Sequence, residues 1–152
     1  MKLQPIDWKK ARYLDGGGFA AVFDLGDGTV VKVGDIDPKE KESQEIMAGR
    51  GRALPVLEYE EDAEIPSKIR KLSCPEHGPR KHIVAEGDGC LCHEQLSILR
   101  MPRAEPAVAD QAFMDAVLEE SLSLPNVWDA RPANVARWQG KLVALDFGRE
   151  FR

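Results

Sequence analysis

Asp129-Ala130-Arg131-Pro132-Ala133-Asn134, with Asp146-Phe147-Gly148 beyond it, is the stretch on which the reading of this 152-residue chain turns. Asp129 and Asn134 stand five apart with Pro132 between them, and Asp146 lies twelve positions past Asn134. The residues between predict a hairpin, Val135 to Trp138 and Leu142 to Leu145 around the turn Gln139-Gly140. Such a loop can aim one carboxylate at an incoming hydroxyl while the Asn and the second Asp converge on a divalent cation. Oxygen ligands of this kind suit hard Mg2+. Without that chemistry the same residues would be turn caps, with Asp146 closing a strand.

Working outward, the first third predicts two linked hairpins and a helix. Arg12 to Leu14 leads into Asp15-Gly16-Gly17-Gly18, Phe19 to Phe23 resumes a strand, and Gly26-Asp27-Gly28 turns the chain into Thr29 to Val33. A helix starts at Asp37-Pro38-Lys39-Glu40, where an Asp N-cap, a Pro at the first helical position and a Glu three residues after the cap agree, and Gly49 or Gly51 ends it. Leu54 to Tyr59 and Leu96 to Met101 predict further strands. Val108 to Leu122 predicts a helix with Val108, Ala112, Phe113, Ala116 and Val117 on one face, stopped by Pro125.

A glycine-rich hairpin, a strand lysine in Val30-Val31-Lys32, a helix glutamate in Gln44-Glu45-Ile46, and the Asp129 and Asp146 segments occur in that order. In this the chain resembles the protein-kinase-like family. The resemblance implies ATP and Mg2+ as cofactors, with Gly16, Gly17, Gly18 and Lys32 on the phosphates and Glu45 paired with Lys32; Glu42 is the alternative glutamate. It implies Asp129 as the catalytic aspartate, Arg131 near the gamma phosphate, and Asn134 with Asp146 as Mg2+ ligands. Read as ordinary surface residues, Lys32 would guard a sheet edge and both glutamates would face solvent.

The departures matter as much. Aligned on Phe19 to Val22, the three family glycine positions hold Asp15, Gly17 and Ala20, and Val127-Trp128 replaces the usual His-Arg before the aspartate. Only four residues follow Gly148, so the resemblance is to a reduced core without the activation segment and most of the carboxy-terminal lobe. The fold expected is α+β: a kinase-like amino-terminal lobe over 1–101, interrupted by an insertion at about 62–94, then a hinge near Pro102 to Pro106 and a truncated helical lobe over 102–152. The function implied is transfer of the gamma-phosphoryl group of ATP to a hydroxyl on a protein or small molecule. The alternative is a noncatalytic, pseudokinase module that binds nucleotide or a protein partner.

The insertion carries a second chemistry. All three Cys and all three His of the chain fall between Cys74 and His93. Cys74, His77, Cys90 and Cys92 form the simplest set for a tetrahedral structural Zn2+ site, with His93 or His82 as a substitute ligand. Against zinc stand the tight Cys-x-Cys spacing and the use of free cysteines as small apolar residues.

Composition bounds these readings. With 43% hydrophobic residues a packed core is within reach, so wholly disordered classes are excluded, and the longest apolar run, Phe19 to Phe23, is far too short to span a bilayer. Net charge is -5, from 26 acids against 21 dispersed bases, which disfavours a nucleic-acid partner. Pro5 and Asp7 interrupt the place where a signal peptide needs its apolar stretch, so the cytoplasm is the expected address. A homo-oligomer in which a second subunit completes the site is compatible with the sequence.

Overall fold

The computed structural model describes residues 3–17, 20–74, 76–79, 90 and 92–147, and of 15–17 the backbone alone. In chain order the elements are β1 (Arg12–Gly17), β2 (Ala20–Asp24), β3 (Thr29–Gly34), α1 (Pro38–Gly49), β4 (Glu58–Glu60), α2 (Ser67–Ser73) and β5 (Ser97–Pro102). They continue with β6 (Glu105–Pro106), α3 (Gln111–Ser121), a single 3-10 turn at Pro132–Asn134, β7 (Val135–Trp138) and β8 (Lys141–Ala144). The fold is α+β. The chain divides into two compact units: Met1–Ile36 with Leu57–Met101, and Asp37–Val56 with Pro102–Arg152. Segment 37–56 thus falls in the second unit, although in sequence it lies within the amino-terminal part.

The first unit is a five-stranded sheet in the order β1-β2-β3-β5-β4, with α2 beside it. Strands β1, β2 and β3 form an antiparallel meander, and β4 pairs antiparallel with β5. Alternation drives one face inward: Ala21 and Phe23 of β2 and Val31 and Val33 of β3 are fully buried, and pack with Leu96, Ile98 and Ile69 of α2. The β2–β3 turn needs glycine, because Gly26 and Gly28 both have positive φ, 78° and 88°. Arg100 of β5 ties this turn to β4, with Nη2 on Asp27 at 2.8 Å, Nη1 on Glu58 at 2.9 Å and Nε donating to Thr29 Oγ1 at 3.1 Å. The Thr29 hydroxyl first, with smaller help from its amide and Arg100, holds the Asp27 carboxyl below the usual carboxylate range against the opposing effect of burial.

In the second unit α1 starts as the local signals predict, with the Asp37 carboxylate accepting from the Glu40 amide at 2.9 Å. Its inward face is polar as well as apolar. Met47 is fully buried, but so are Ser43, whose hydroxyl accepts from the Asn126 amide at 2.8 Å, and Gln44, whose Nε2 donates to the Leu54 carbonyl at 3.0 Å. Asp110 caps α3 by accepting from the Phe113 amide. Strands β6, β7 and β8 form a three-stranded antiparallel sheet. The β7–β8 turn places Gln139 at φ 52° and Gly140 at φ 77°, the two-residue turn whose twist matches antiparallel strands. A parallel bridge joins Ala53 to Ala144, and Met47, Met114, Val117, Trp128, Val135 and Phe147 close the core around it.

Three expectations need correction. Strand 54–59 is shorter, β4 covering only Glu58–Glu60, because the Leu54 carbonyl is taken by Gln44. The helix predicted from Val108 starts instead at Gln111 behind its Asp110 cap, so Val108 is 90% exposed and Ala112 faces solvent, while Met114 and Val117 turn inward. The insertion 62–94 contains α2, two turns whose short Ile69 and Leu72 pattern gives no sustained period. No helix among the described residues is long and apolar enough to cross a membrane.

Candidate functional site

In the first unit the carboxyl end of α2 carries the chemistry. Cys74 is the C-cap of α2 and fully buried, and the chain then doubles back so that the Gly78 amide donates to the Cys74 carbonyl at 2.8 Å. A Cβ on Gly78 would stand 2.4 Å from the Leu72 carbonyl oxygen, 2.8 Å from that of Cys74 and 2.9 Å from that of Lys71, so only glycine allows this close wrap. The wrap sets His77 against the sulfurs. His77 Nδ1 lies 3.3 Å from Cys74 Sγ, 3.6 Å from Cys90 Sγ and 3.4 Å from Cys92 Sγ, and Cys74 Sγ is 3.7 Å from Cys90 Sγ. All four ligand atoms lie within 4.8 Å of one another.

These four side chains can hold a metal ion. Four ligands at about 2.3 Å for sulfur and about 2.0–2.1 Å for nitrogen in a tetrahedron would be about 3.8 Å apart for S···S and about 3.6 Å for S···N, close to the separations seen. No disulfide joins the three cysteines, Cys74 Sγ and Cys90 Sγ standing well beyond the S–S bond length. Burial, followed by hydrogen bonding and charge from Cys74 and Cys90, pushes the Cys92 thiol up to about 12. Three thiolates crowded together repel, and a divalent cation supplies the charge that makes their deprotonation favourable. Of the substitute ligands, His93 lies outside this group of four and His82 lies outside the described residues.

In the second unit the two ends of the β7–β8 hairpin gather the residues of the opening motif. The Asp129 amide donates to the Asp146 carbonyl at 3.3 Å, and Asn134 Nδ2 donates to the Asp129 carbonyl at 2.8 Å. The Leu145 amide donates to the Asn134 carbonyl at 2.8 Å, closing the ring of contacts. With Nδ2 so engaged, the amide orientation of Asn134 follows from the network, and Oδ1 is its acceptor end. Asp146 is one of three described non-glycine residues with positive φ, at 69°, a conformation that costs energy and concentrates at functional sites. Arg131 Nε pairs with Asp129 Oδ1 at 3.1 Å, the arginine largely exposed and the aspartate largely covered.

Trp128 is a core residue. It is buried to 1% exposure, its amide donates to Ser121 Oγ at 3.1 Å and its Nε1 donates to the Leu145 carbonyl at 2.7 Å. Trp128 before Asp129 and the fully buried Phe147 after Asp146 pin both carboxylate-bearing residues to the core.

The remaining predicted residues are distributed as follows. Gly16 and Gly17 lie in the β1 ladder opposite Ala21 and Ala20, and Gly18 lies outside the described residues, as does Gly148. Lys32 sits opposite Val22 in β3, which is flanked by β2 and β5, so it does not guard a sheet edge. Glu45 is exposed and forms an ion pair with Lys41 at 3.2 Å, and Glu42 is exposed as well. The buried carboxylate of α1 is Glu40, 4% exposed, which the sequence presents only as a capping residue. The chain matches no protein-family model and no curated protein. Fold and sites together define an α+β protein with a metal-capable Cys3His cluster in one unit and an Asp-Asn-Asp loop in the other.

Proposed function

We propose that the chain is an ATP- and Mg2+-dependent phosphotransferase with a reduced kinase-like fold, acting on a hydroxyl acceptor. The observation that carries this reading is the base of the β7–β8 hairpin, where Asp129, Asn134 and a left-handed Asp146 are tied together by main-chain and amide hydrogen bonds. Asp129 would orient the acceptor hydroxyl and receive its proton. Its pairing with Arg131 is no obstacle, since an ion pair with so exposed an arginine is worth only about 0–1 kcal/mol and is released by one rotamer change. The Oδ1 end of Asn134 and the Asp146 carboxylate are hard oxygen donors of the type that Mg2+ takes, and bound Mg2+ would supply charge neutralisation for the phosphates. For the helix glutamate the reading adopts Glu40 instead of Glu45, because only Glu40 is withdrawn from solvent.

ATP turnover with and without Mg2+ tests this, with Lys32→Ala, Asp146→Asn and Asp129→Asn alongside. The first two variants should lose nucleotide binding, and Asp129→Asn should keep binding while kcat falls. Full turnover in Asp146→Asn, or no Mg2+-dependent melting shift in the parent chain at millimolar ATP, would overturn the reading. The rival noncatalytic module is favoured by Asp15 at a glycine position, and it predicts nucleotide binding without turnover.

For the Cys3His cluster we infer structural Zn2+. Four protein ligands complete a tetrahedron and leave no open position for substrate. Metal analysis should find about one zinc per chain, and Cys74→Ser should abolish it.

A further inference from the structure

Beside the cluster lies an open depression of about 370 Å3, lined by Ser67, Arg70, Lys71, His77, Cys92 and His93. No acidic side chain is among these lining residues, in a chain whose net charge is -5. The volume falls at the lower end of the roughly 300–1,000 Å3 typical of small-ligand sites.

Arg70 is fixed before any ligand arrives. Its Nε donates to the Ile65 carbonyl at 3.3 Å and its Nη1 to the Glu94 carbonyl at 2.8 Å. Guanidinium has five N–H donors, so those two contacts leave three, on a group whose orientation is already set. Among the described residues no carboxylate forms an ion pair with Arg70 or Lys71. His77 turns Nδ1 to the three sulfurs, so its remaining ring nitrogen, Nε2, is the donor end. A metal-binding histidine ordinarily gives that second N–H to a carboxylate, a carbonyl or water, and among the described residues no protein acceptor for it is present.

Local charge agrees. Counted over the cluster and the lining residues alone, three thiolates and one Zn2+ sum to one negative charge against the two positive charges of Arg70 and Lys71, so neutralising the thiolates does not exhaust the cations. The closed tetrahedron offers no coordination position, so a ligand here is held by hydrogen bonds alone. We propose that this depression binds the phosphate group of a small phosphate monoester, with Arg70 and Lys71 as its charged donors and His77 Nε2 as the third. The site lies wholly within the first unit and is separate from the Asp129 loop.

The test uses the zinc-loaded full chain in Mg2+-free buffer at fixed ionic strength, with inorganic phosphate and phenyl phosphate as probes and chloride as the control. Backbone amide shifts read saturable binding. Shifts confined to 67–78 and 92–94, and an affinity at least about tenfold weaker in Arg70→Gln/Lys71→Gln at unchanged zinc content, are expected. Asp146→Asn should bind the probes as the parent chain does, which separates this site from the proposed phosphotransfer site. No saturable shift with either phosphate would overturn the proposal. So would equal binding by the double variant, or tighter binding of a short oligonucleotide than of phenyl phosphate.

Discussion

Gly78 shows how much one missing side chain can decide. A Cβ there would meet three backbone oxygens, none of which can rotate away. Gly78→Ala should therefore destabilise the first unit by about 1–3 kcal/mol, the usual range for overpacking, and weaken zinc retention because the wrap positions His77. Differential scanning calorimetry with competitive chelator titration checks both; an unchanged midpoint and unchanged zinc affinity would contradict the steric argument. The same scale shows what sequence can reveal. The Cys and His of 74–93 stand out because the chain has no others, so the segment that gathers Cys74, His77, Cys90 and Cys92 is legible from clustering, while the choice of His77 over His82 or His93 needs the wrap at Gly78. Glu40 is not legible as the buried acid, because Ser43 and Gln44 fill the inward face of α1 and leave no apolar stripe to separate inside from outside.

At the scale of elements, Trp128 acts as a clamp between the end of α3 and the strand leading to Asp146, through Ser121 and Leu145. Trp128→Phe keeps an aromatic ring but leaves the Leu145 carbonyl without its donor. A stability loss of about 1–3 kcal/mol is expected from that part-buried, unmet acceptor and the smaller ring, and on the phosphotransfer reading kcat should fall more than KM. Unfolding in urea and steady-state kinetics measure the two effects, and wild-type values in both would remove the clamp. Elements with local signals were readable: the Asp37-Pro38-Glu40 start of α1 and the Gln139-Gly140 turn need only near neighbours. Helix α2 has only two turns and hides its two apolar contacts among charged residues. Its carboxyl end runs straight into the cluster, and two turns hold little by themselves. Removing zinc should expose the amides of 67–78 to hydrogen exchange before those of β2 and β3, which share the Ile69 core but are also paired on both sides within the sheet. Equal loss of protection in both places would count against a local metal staple.

For the whole molecule, the metal-free chain should carry a pH signature. The Cys92 thiol keeps its proton to about 12 when folded, against an ordinary value of 9.0, so the folded state binds the extra proton. That contribution is present below pH 9 and is lost as pH rises from 9 toward 12. Urea midpoints of the metal-free chain across that window should fall, and Cys92→Ala should flatten the trend; a slope that persists in the variant would assign it elsewhere. Unit membership was the least legible level of all. The Ala53 to Ala144 bridge joins positions that no local pattern relates, and it is this pairing that draws 37–56 into the second unit.

That discontinuity sets a timetable for a nascent chain. The first unit has its last residue at Met101, whereas α1 finds its core partners Met114, Val117, Trp128 and Phe147 only among the residues that follow. At about 5–20 residues per second, the 51 residues from Pro102 to Arg152 take roughly 3–10 s to make. Throughout that interval Met47 has no core to enter, and the α1 segment is a looped-out, partly apolar stretch between two halves of a sheet that can already form. A chain stalled in that interval, once the residues up to Met101 have cleared the ribosome, would therefore hold a folded sheet bearing an unhoused helix, the form of this chain most exposed to a chaperone or a protease.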